Sequence, residues 1–132
     1  MQAVHRILVA EDNKINQVVA AGTLKKLGYV VDIVDGGSEA VAACLHTRYD
    51  AVLMDVMMPD MDGYQATSII RENELALETS HVPVIGLSAR AMDGDREIAL
   101  SAGFNDYLTK PLRSAELENA LERWIGAPVV LR

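Results

Sequence analysis

The stretch Arg6–Asp12, RILVAED, decides the fold, because a short apolar run is followed directly by two carboxylates. A second run, Tyr49–Met54, is nearly all apolar and is followed directly by Asp55. Runs this short and this apolar are typical of strands buried on both faces of a parallel sheet. A carboxylate beside a buried strand is unfavourable unless it is paired or binds a cation, so acidic residues at two strand ends need a functional reason.

Short apolar runs alternate with helical patterns along the whole chain. The predicted strands cover residues 6–10, 29–34, 49–54, 84–87 and 106–109, and the predicted helices cover 13–27, 64–74, 91–102 and 113–125, with another helix after the turn at 35–38. This alternation predicts an α/β fold with helices on both faces of a parallel sheet. We expect a doubly wound, five-stranded parallel sheet of order 2-1-3-4-5, which is the flavodoxin-like arrangement.

Apolar spacing also predicts which faces of the helices are buried. The first helix has Asp12 or Asn13 as its N-cap and ends at Gly28, and its apolar residues at helical spacing are Ile15, Val18, Val19, Leu24 and Leu27. In the second helix the residues expected on the core side are Val41, Ala42 and Leu45.

In a sheet of this order, strands one and three are neighbours, and ligands bind at their carboxyl ends. Glu11, Asp12 and Asp55 therefore share one crevice, with Ser88 and Lys110 at the ends of strands four and five. One close pair of carboxylates repels by about 4 kcal/mol at an effective dielectric near 20, which protonation or a bound cation relieves. Such oxygen ligands favour Mg²⁺, for which Mn²⁺ could substitute. With the lysine and the hydroxyl opposite, the crevice has the groups needed to hold a phosphoryl group on Asp55 as nucleophile.

Composition narrows the classes of function. The 132 residues suffice for one domain, which we place at residues 6–126, between an N-terminal extension, 1–5, and a C-terminal tail, 127–132. A net charge of −7 repels phosphate backbones, so we expect no binding to nucleic acid. The single cysteine excludes an internal disulfide, and no stretch has the length of a membrane span or the pattern of a signal peptide. We expect a cytoplasmic domain without direct membrane contact, whether or not a parent protein is anchored in a membrane.

Four segments, in this order, resemble the receiver domain of two-component response regulators: Ile7–Asn13 (ILVAEDN), Leu53–Gly63 (LMDVMMPDMDG), Leu87–Ala89 (LSA) and Asp106–Leu112 (DYLTKPL). Each segment is weak evidence by itself, but the four together are specific. The resemblance extends from about Arg6 to Gly126.

The resemblance implies a role for each acidic residue of the crevice. Asp55 matches the phosphoacceptor, which takes a phosphoryl group from a phosphohistidine of a partner. Asp12 matches the direct magnesium ligand, Glu11 the carboxylate that acts largely through water, and the backbone carbonyl of Met57 completes the protein ligands. Magnesium is thus the implied cofactor.

The resemblance also implies how phosphorylation is sensed. Lys110, Ser88 and the backbone of Ala89 match positions that bind the phosphoryl group, and the Lys110–Pro111 peptide bond is expected to be cis. Ser88 and Tyr107 match the switch pair, in which the hydroxyl moves towards the phosphoryl group and the aromatic ring turns inward.

Two further positions match sites that tune the loss of the phosphoryl group in the family. These are Met57 and Arg90, and we expect Arg90 to cover the phosphoryl group partly or to order water near it. The segments Glu11–Gln17 (EDNKINQ) and Ala89–Arg96 (ARAMDGDR) look most like receivers of hybrid histidine kinases. The implied partners are a histidine kinase core, a histidine phosphotransfer protein, or both, and a monomer is the default expectation.

Several alternatives share parts of this pattern. A stand-alone single-domain response regulator stays open, since no effector domain is expected after the last helix. A haloacid-dehalogenase-like phosphatase would need a second acid where Met57 stands, and a flavodoxin-like cofactor binder would need a Gly/Ser/Thr-rich phosphate loop where the chain has Glu11–Asn13. An interaction module that is never phosphorylated is disfavoured by the intact set of crevice residues.

Overall fold

A computed structural model describes residues 4–89 and 92–126. Within these residues strands and helices alternate strictly: β1 (Arg6–Ala10), α1 (Lys14–Lys26), β2 (Val30–Val34), α2 (Gly37–His46), β3 (Ala51–Asp55), α3 (Gly63–Leu77), β4 (Val84–Ser88), α4 (Asp95–Ser101), β5 (Asp106–Thr109) and α5 (Ser114–Ile125). None of the described helices is long and apolar enough to cross a membrane.

The sheet has the predicted topology. Its five described strands are parallel and lie in the order β2-β1-β3-β4-β5. The predicted doubly wound α/β fold is therefore confirmed. Since β1 pairs with both β2 and β3, the chain reverses its direction of winding at β1, and the carboxyl ends of β1 and β3 lie side by side.

Two apolar cores lie on opposite faces of this sheet. Leu8, Val52 and Met54 face one core, which includes residues of α2 and α3. Ile7, Val9 and the other alternate residues of the same strands face the second core, together with Leu24, Leu117 and Leu121 from α1 and α5. Strands β3 and β4 are buried along their whole length, which agrees with their continuous apolar sequence.

Helix α1 is rotated relative to its apolar pattern. It begins after Asn13, whose side chain accepts the N–H of Asn16 at 3.0 Å as an N-cap. Leu24 is buried as expected, but Ile15 is 74 % exposed and Val18 is 72 % exposed. The residues of α1 that pack against the sheet are Gln17, Ala20, Ala21 and Leu24. Small residues let the helix lie close to the sheet, and the branched apolar residues consequently face outward.

Helix α2 differs from its prediction for a similar reason. Ala42 and Leu45 are exposed, whereas Ala40 is fully buried. A Cβ at Gly37 would lie 2.4 Å from the carbonyl oxygen of Met61, so this end of α2 is packed directly against backbone. The close approach at the glycine fixes the orientation of the helix, and Leu45 is left on the outer side.

Most boundaries match within a few residues. Strand β3 includes Asp55, which the sequence pattern predicts directly after the strand, and α3 continues to Leu77, three residues beyond its predicted end. Helix α4 begins at Asp95 rather than at residue 91. Arg90 lies outside the described residues, so its predicted role in tuning is a matter for experiment.

Candidate functional site

Three carboxylates meet at the carboxyl edge of the sheet. Glu11 and Asp12 follow β1, and Asp55 is the last residue of the neighbouring β3. One carboxylate oxygen from each lies within 4.8 Å of the others. Glu11 is 2 % exposed and Asp55 is 5 % exposed, while Asp12 lies on the open side of the cluster. The acidic crevice that the sequence predicts is thus present.

Lys110 lies opposite these acids on the loop between β5 and α5. Its Nζ donates to Oε2 of Glu11 at 2.8 Å and to Oδ2 of Asp55 at 2.9 Å. Its backbone N–H donates to the carbonyl oxygen of Ser88 at 2.6 Å, which ties the loop to the end of β4. The Lys110–Pro111 peptide bond is cis. One ammonium group therefore bridges the two buried carboxylates.

The loop after β3 holds Asp55 in place. Oδ1 of Asp55 accepts the backbone N–H of Met57 at 3.1 Å. The loop then folds back, and the N–H of Gly63 donates to the carbonyl oxygen of Val56 at 3.1 Å. A Cβ at Gly63 would lie 2.4 Å from the carbonyl oxygen of Asp55, so a glycine is required where α3 starts against the end of β3.

Glu11 is held by its own side of the crevice. Its Oε1 accepts the backbone N–H of Asn13 at 3.2 Å and the side-chain amide of Asn16 at 3.4 Å. Its backbone is held by Val34, whose carbonyl oxygen accepts the N–H of Glu11, and by the side chain of Gln17. The contacts of Asn16 and Gln17 had no predicted role, although a glutamine within an apolar helical pattern is a signal that could have drawn attention to them.

The pKa values of the pair of acids diverge. Burial raises the pKa of Asp55, and the hydrogen bonds from Lys110 and Met57 do not fully offset that effect. Burial also acts to raise the pKa of Glu11, but its hydrogen bonds, led by the one from Lys110, hold that pKa below its usual value. Burial acts to lower the pKa of Lys110, yet its bonds to Glu11 and Asp55 keep it above its usual value. Glu11 is therefore the fixed counter-ion of Lys110, and Asp55 is the acid whose negative charge is less well compensated.

The predicted phosphoryl-binding and switch residues lie in or directly after β4 and β5. Ser88 is the last residue of β4, which pairs with β3 beside Asp55, and Ala89 follows it. Tyr107 is buried within β5 and packs beside Gly86, where an added Cβ would lie 3.1 Å from its ring. The side chain of Met57 is exposed. Ser88 is thus adjacent to the crevice, and the ring of Tyr107 lies inside the fold.

This donor set suits a hard divalent cation. Carboxylate oxygens are preferred magnesium ligands, and two ligands of one such ion lie at most about 4.2 Å apart, twice the metal–oxygen distance. The three oxygens, within 4.8 Å of each other, need to close by about 0.6 Å at most. A cation there would also compensate the negative charge that Lys110 alone leaves among three acids.

A family model described as response regulator receiver domain matches residues 7–122. The chain belongs to this family. The match spans the crevice on every side, because it includes Glu11, Asp12, Asp55, Ser88 and Lys110.

Solved structures of other receiver domains are similar over nearly the whole chain. The receiver domain of sensor histidine kinase PA1611 from Pseudomonas aeruginosa, solved with a magnesium ion coordinated in its active site cleft, has 49 % identity and a TM-score of 0.84, and the similarity covers 95 % of this chain and all of that one. The receiver domain of the response regulator Ssk1 of Saccharomyces cerevisiae, solved with the histidine phosphotransfer protein Ypd1, has 28 % identity and a TM-score of 0.87, covering 94 % of this chain and 92 % of that one.

Among curated relatives, the sensor protein GacS of Pseudomonas syringae pv. syringae is 40 % identical over 121 residues. That similarity covers 92 % of this receiver domain but only 13 % of the relative. For hybrid signal transduction histidine kinase B of Dictyostelium discoideum, at 37 % identity, the corresponding shares are 88 % and 6 %. The predicted relationship to receivers of hybrid histidine kinases is confirmed, and the chain corresponds to a small part of each of these proteins.

Proposed function

We propose that this receiver domain accepts a phosphoryl group from a phosphohistidine onto Asp55, in a magnesium-dependent step of a phosphorelay. The observation that carries the proposal is the pairing of Asp55 with Lys110 at 2.9 Å within a cluster of three carboxylates. A carboxylate in this setting is a nucleophile whose own charge, and whose product's charge, can be compensated by a neighbouring cation.

The geometry of Asp55 supports a direct transfer. One carboxylate oxygen attacks the phosphorus atom, the P–N bond breaks, and its electron pair returns to the imidazole of the donor, which takes up a proton. The N–H of Met57 and the ammonium of Lys110 hold the carboxylate from its two oxygens. Glu11, Asp12, Asp55 and the backbone carbonyl of Met57 would hold magnesium, which when bound would supply positive charge against the transferred phosphoryl oxygens. We expect Mn²⁺ to replace it.

Residues of β4 and β5 are proposed to transmit the effect of phosphorylation to the surface of the domain. Phosphorylation adds about −1.5 to −2 charges and three acceptor oxygens beside Lys110. Ser88 and the backbone N–H of Ala89 then contact the phosphoryl group, and Tyr107 responds from the neighbouring strand. Because Tyr107 lies on the strand next to α4 and α5, its adjustment alters the face that these helices present to a partner. Such coupling typically amounts to about 1–3 kcal/mol, a shift of populations.

The partner is proposed to be a histidine phosphotransfer protein or a histidine kinase core. Support comes from the outer face of α1, which begins at Lys14, directly beside the acidic crevice, and exposes Ile15, Val18 and Val19. Exposed apolar residues beside a reactive group favour docking of a partner that brings its own reactive residue. The complex of a similar receiver domain with Ypd1 is a precedent for this class of partner.

The parent protein is proposed to be a hybrid sensor histidine kinase, of which residues 6–126 form a receiver domain that is monomeric and cytoplasmic. The curated relatives support this proposal, since the matched part is a small share of each. A stand-alone response regulator is the alternative, and the length of the native polypeptide, measured on a blot with an antibody against this domain, would distinguish the two.

Intact mass after incubation with acetyl phosphate and magnesium tests the proposal. We expect a gain of one phosphoryl group, which is lost in Asp55→Asn and in the absence of magnesium. If no gain is seen, binding of beryllofluoride to the wild-type domain separates rapid hydrolysis from a site that cannot bind a phosphoryl group. Absence of both results would overturn the proposed function and favour an interaction module that is never phosphorylated.

A further inference from the structure

Helix α1 buries a glutamine while it exposes its branched apolar residues. Gln17 is 7 % exposed, although Ile15 and Val18, on either side in sequence, face solvent. Burial of an amide is unfavourable by about 1–3 kcal/mol in proteins unless hydrogen bonds replace those to water. The buried amide of Gln17 therefore needs hydrogen-bond partners within the protein.

Two hydrogen bonds satisfy the N–H groups of the Gln17 side-chain amide. Its Nε2 donates to the backbone carbonyl oxygen of Glu11 at 2.6 Å and to Oδ1 of Asp35 at 2.6 Å. Asp35 follows β2 and is itself held by Nζ of Lys14 at 2.8 Å. Gln17 thus joins the end of β1 to the loop after β2, across the first turn of α1.

The carbonyl group that Gln17 holds belongs to the peptide between Glu11 and Asp12. On its other side, Glu11 is fixed by its N–H, which donates to the carbonyl oxygen of Val34 at 3.1 Å. With both ends of Glu11 held, the plane of the following peptide cannot rotate freely. The orientation of that plane sets the direction in which the side chain of Asp12 leaves the backbone, and Asp12 is the exposed member of the acidic cluster.

We propose that Gln17 is a positioning residue for the cation site: it fixes the Glu11–Asp12 peptide so that the carboxylate of Asp12 points at the ion. This inference rests on the proposed function, because it concerns the same magnesium site. Gln17 touches neither the ion nor the phosphoryl group and acts only through the backbone of its neighbours. Residues that orient metal ligands in this way typically change metal affinity by about 10–100-fold when they are removed.

Magnesium binding without any phosphoryl donor is the measurement that tests this role. Gln17→Leu keeps most of the side-chain volume and removes both donors, and we expect its dissociation constant for Mg²⁺, measured by titration calorimetry, to rise about 10-fold. At saturating magnesium its phosphorylation by acetyl phosphate should regain the wild-type rate. Leu24→Ala is the matched control, since it destabilises the same helix from a buried position and contacts none of the acids; its magnesium affinity should equal that of the wild type.

Two substitutions of Asp35 provide a second test of the same role if Gln17→Leu does not fold. Asp35 is exposed, so its substitution does not endanger the core. Asp35→Ala removes the acceptor that anchors Gln17 and should weaken magnesium binding, whereas Asp35→Asn keeps an acceptor, removes the same charge and should bind magnesium more tightly than Asp35→Ala.

The outcomes separate the two proposals. If the wild-type domain does not bind magnesium, the proposed function fails. If the wild type binds magnesium and Gln17→Leu binds it equally well, or if Asp35→Ala and Asp35→Asn are indistinguishable where Gln17→Leu is unfolded, the positioning role is overturned and the proposed function stands.

Discussion

Nζ of Lys110 lies 2.9 Å from Oδ2 of Asp55, although 55 residues separate the two in sequence. The same nitrogen contacts Glu11 at 2.8 Å, so one positive charge is shared between two buried carboxylates. In the absence of a bound cation, the resting crevice therefore has excess negative charge, and the acid with the raised pKa, Asp55, is where that excess is least compensated.

Asp55→Asn should stabilise the fold at neutral pH without added magnesium. The pKa of Asp55 is raised in the folded state above its ordinary value of 3.8. Ionisation therefore favours the unfolded chain, and the stability contributed by this group is present at low pH and lost as the pH rises through the folded pKa. We expect the variant to gain about 1 kcal/mol at pH 7, the low end of what two close like charges exert, and almost nothing near pH 3.5. Urea unfolding at both pH values measures the difference, and an equal gain at both would contradict the explanation.

Lys110→Met should destabilise the domain because it leaves Glu11 and Asp55 together without a counter-ion. We expect a loss of about 1–3 kcal/mol in the free energy of unfolding at pH 7. In a double-mutant cycle, the same substitution in the Asp55→Asn background should cost clearly less, since only one carboxylate is then left unpaired. Equal losses in the two backgrounds would mean that Lys110 acts through Glu11 or through packing of its alkyl chain rather than through Asp55.

The sequence predicts the crevice well because its information is local and repeated. A buried strand that ends in a carboxylate, as at Asp55, can be recognised from a few consecutive residues, and the strand order follows from the alternation of elements. The orientation of α1, in contrast, cannot be predicted from a local pattern. Ile15 and Val18 satisfy a helical period as well as Leu24 does, and only the close fit of Ala20 and Ala21 against the sheet decides which residues are buried. The bond from Gln17 to the backbone carbonyl of Glu11, directly after β1, leaves no periodic trace, so it could be found only in three dimensions.

Polar substitutions on the outer face of α1 should slow phosphoryl transfer from the partner and leave the reactivity of Asp55 unchanged. Ile15→Ser and Val18→Ser remove apolar surface beside the crevice, and we expect transfer from a phosphohistidine-bearing partner to slow by about 10-fold, equivalent to about 1.4 kcal/mol of docking energy. Phosphorylation by acetyl phosphate and thermal stability should change little, because exposed side chains rarely matter for folding.

Leu75→Ser is the matched control for this surface. Leu75 is also an exposed apolar residue, but it lies near the end of α3, at the opposite edge of the sheet from Asp55. We expect wild-type transfer for this variant. Slower transfer in both the α1 and the α3 variants would mean that added surface polarity in general, and not loss of a docking face on α1, causes the effect.

Asp106→Asn should weaken the attachment of α4 and α5 to β5. The carboxylate of Asp106 is buried and accepts from Arg123 at 2.7 Å and from the indole of Trp124 at 3.0 Å, and it lies 3.0 Å from Arg96. Burial acts to raise the pKa of Asp106, but the indole of Trp124, the N–H of Tyr107 and the guanidinium of Arg96 hold it below the ordinary 3.8. Its contribution to stability is therefore present above that value and lost as the pH falls through the lowered folded pKa.

The substitution should reduce the free energy of unfolding by about 1–3 kcal/mol at pH 7, and the difference from the wild type should shrink below pH 3.8. Trp124 is the single tryptophan of the sequence, so its fluorescence reports directly on this attachment. An unchanged emission spectrum together with unchanged stability would rule out the carboxylate as the link between the two helices.

Arg90→Ala should shorten the lifetime of the aspartyl phosphate. Arg90 follows Ala89, one residue beyond the end of β4, and the resemblance to receiver domains assigns its position to tuning of hydrolysis. A guanidinium that covers the phosphoryl group restricts the approach of water, so its removal should speed loss of the phosphoryl group several-fold. Met57→Ala tests the second tuning position, whose exposed thioether side chain projects from the loop that holds Asp55. Decay of the phosphorylated mass with time, after removal of acetyl phosphate, measures both variants. A rate equal to the wild type for Arg90→Ala would exclude the covering role, while a slower rate would mean that Arg90 instead orders the attacking water.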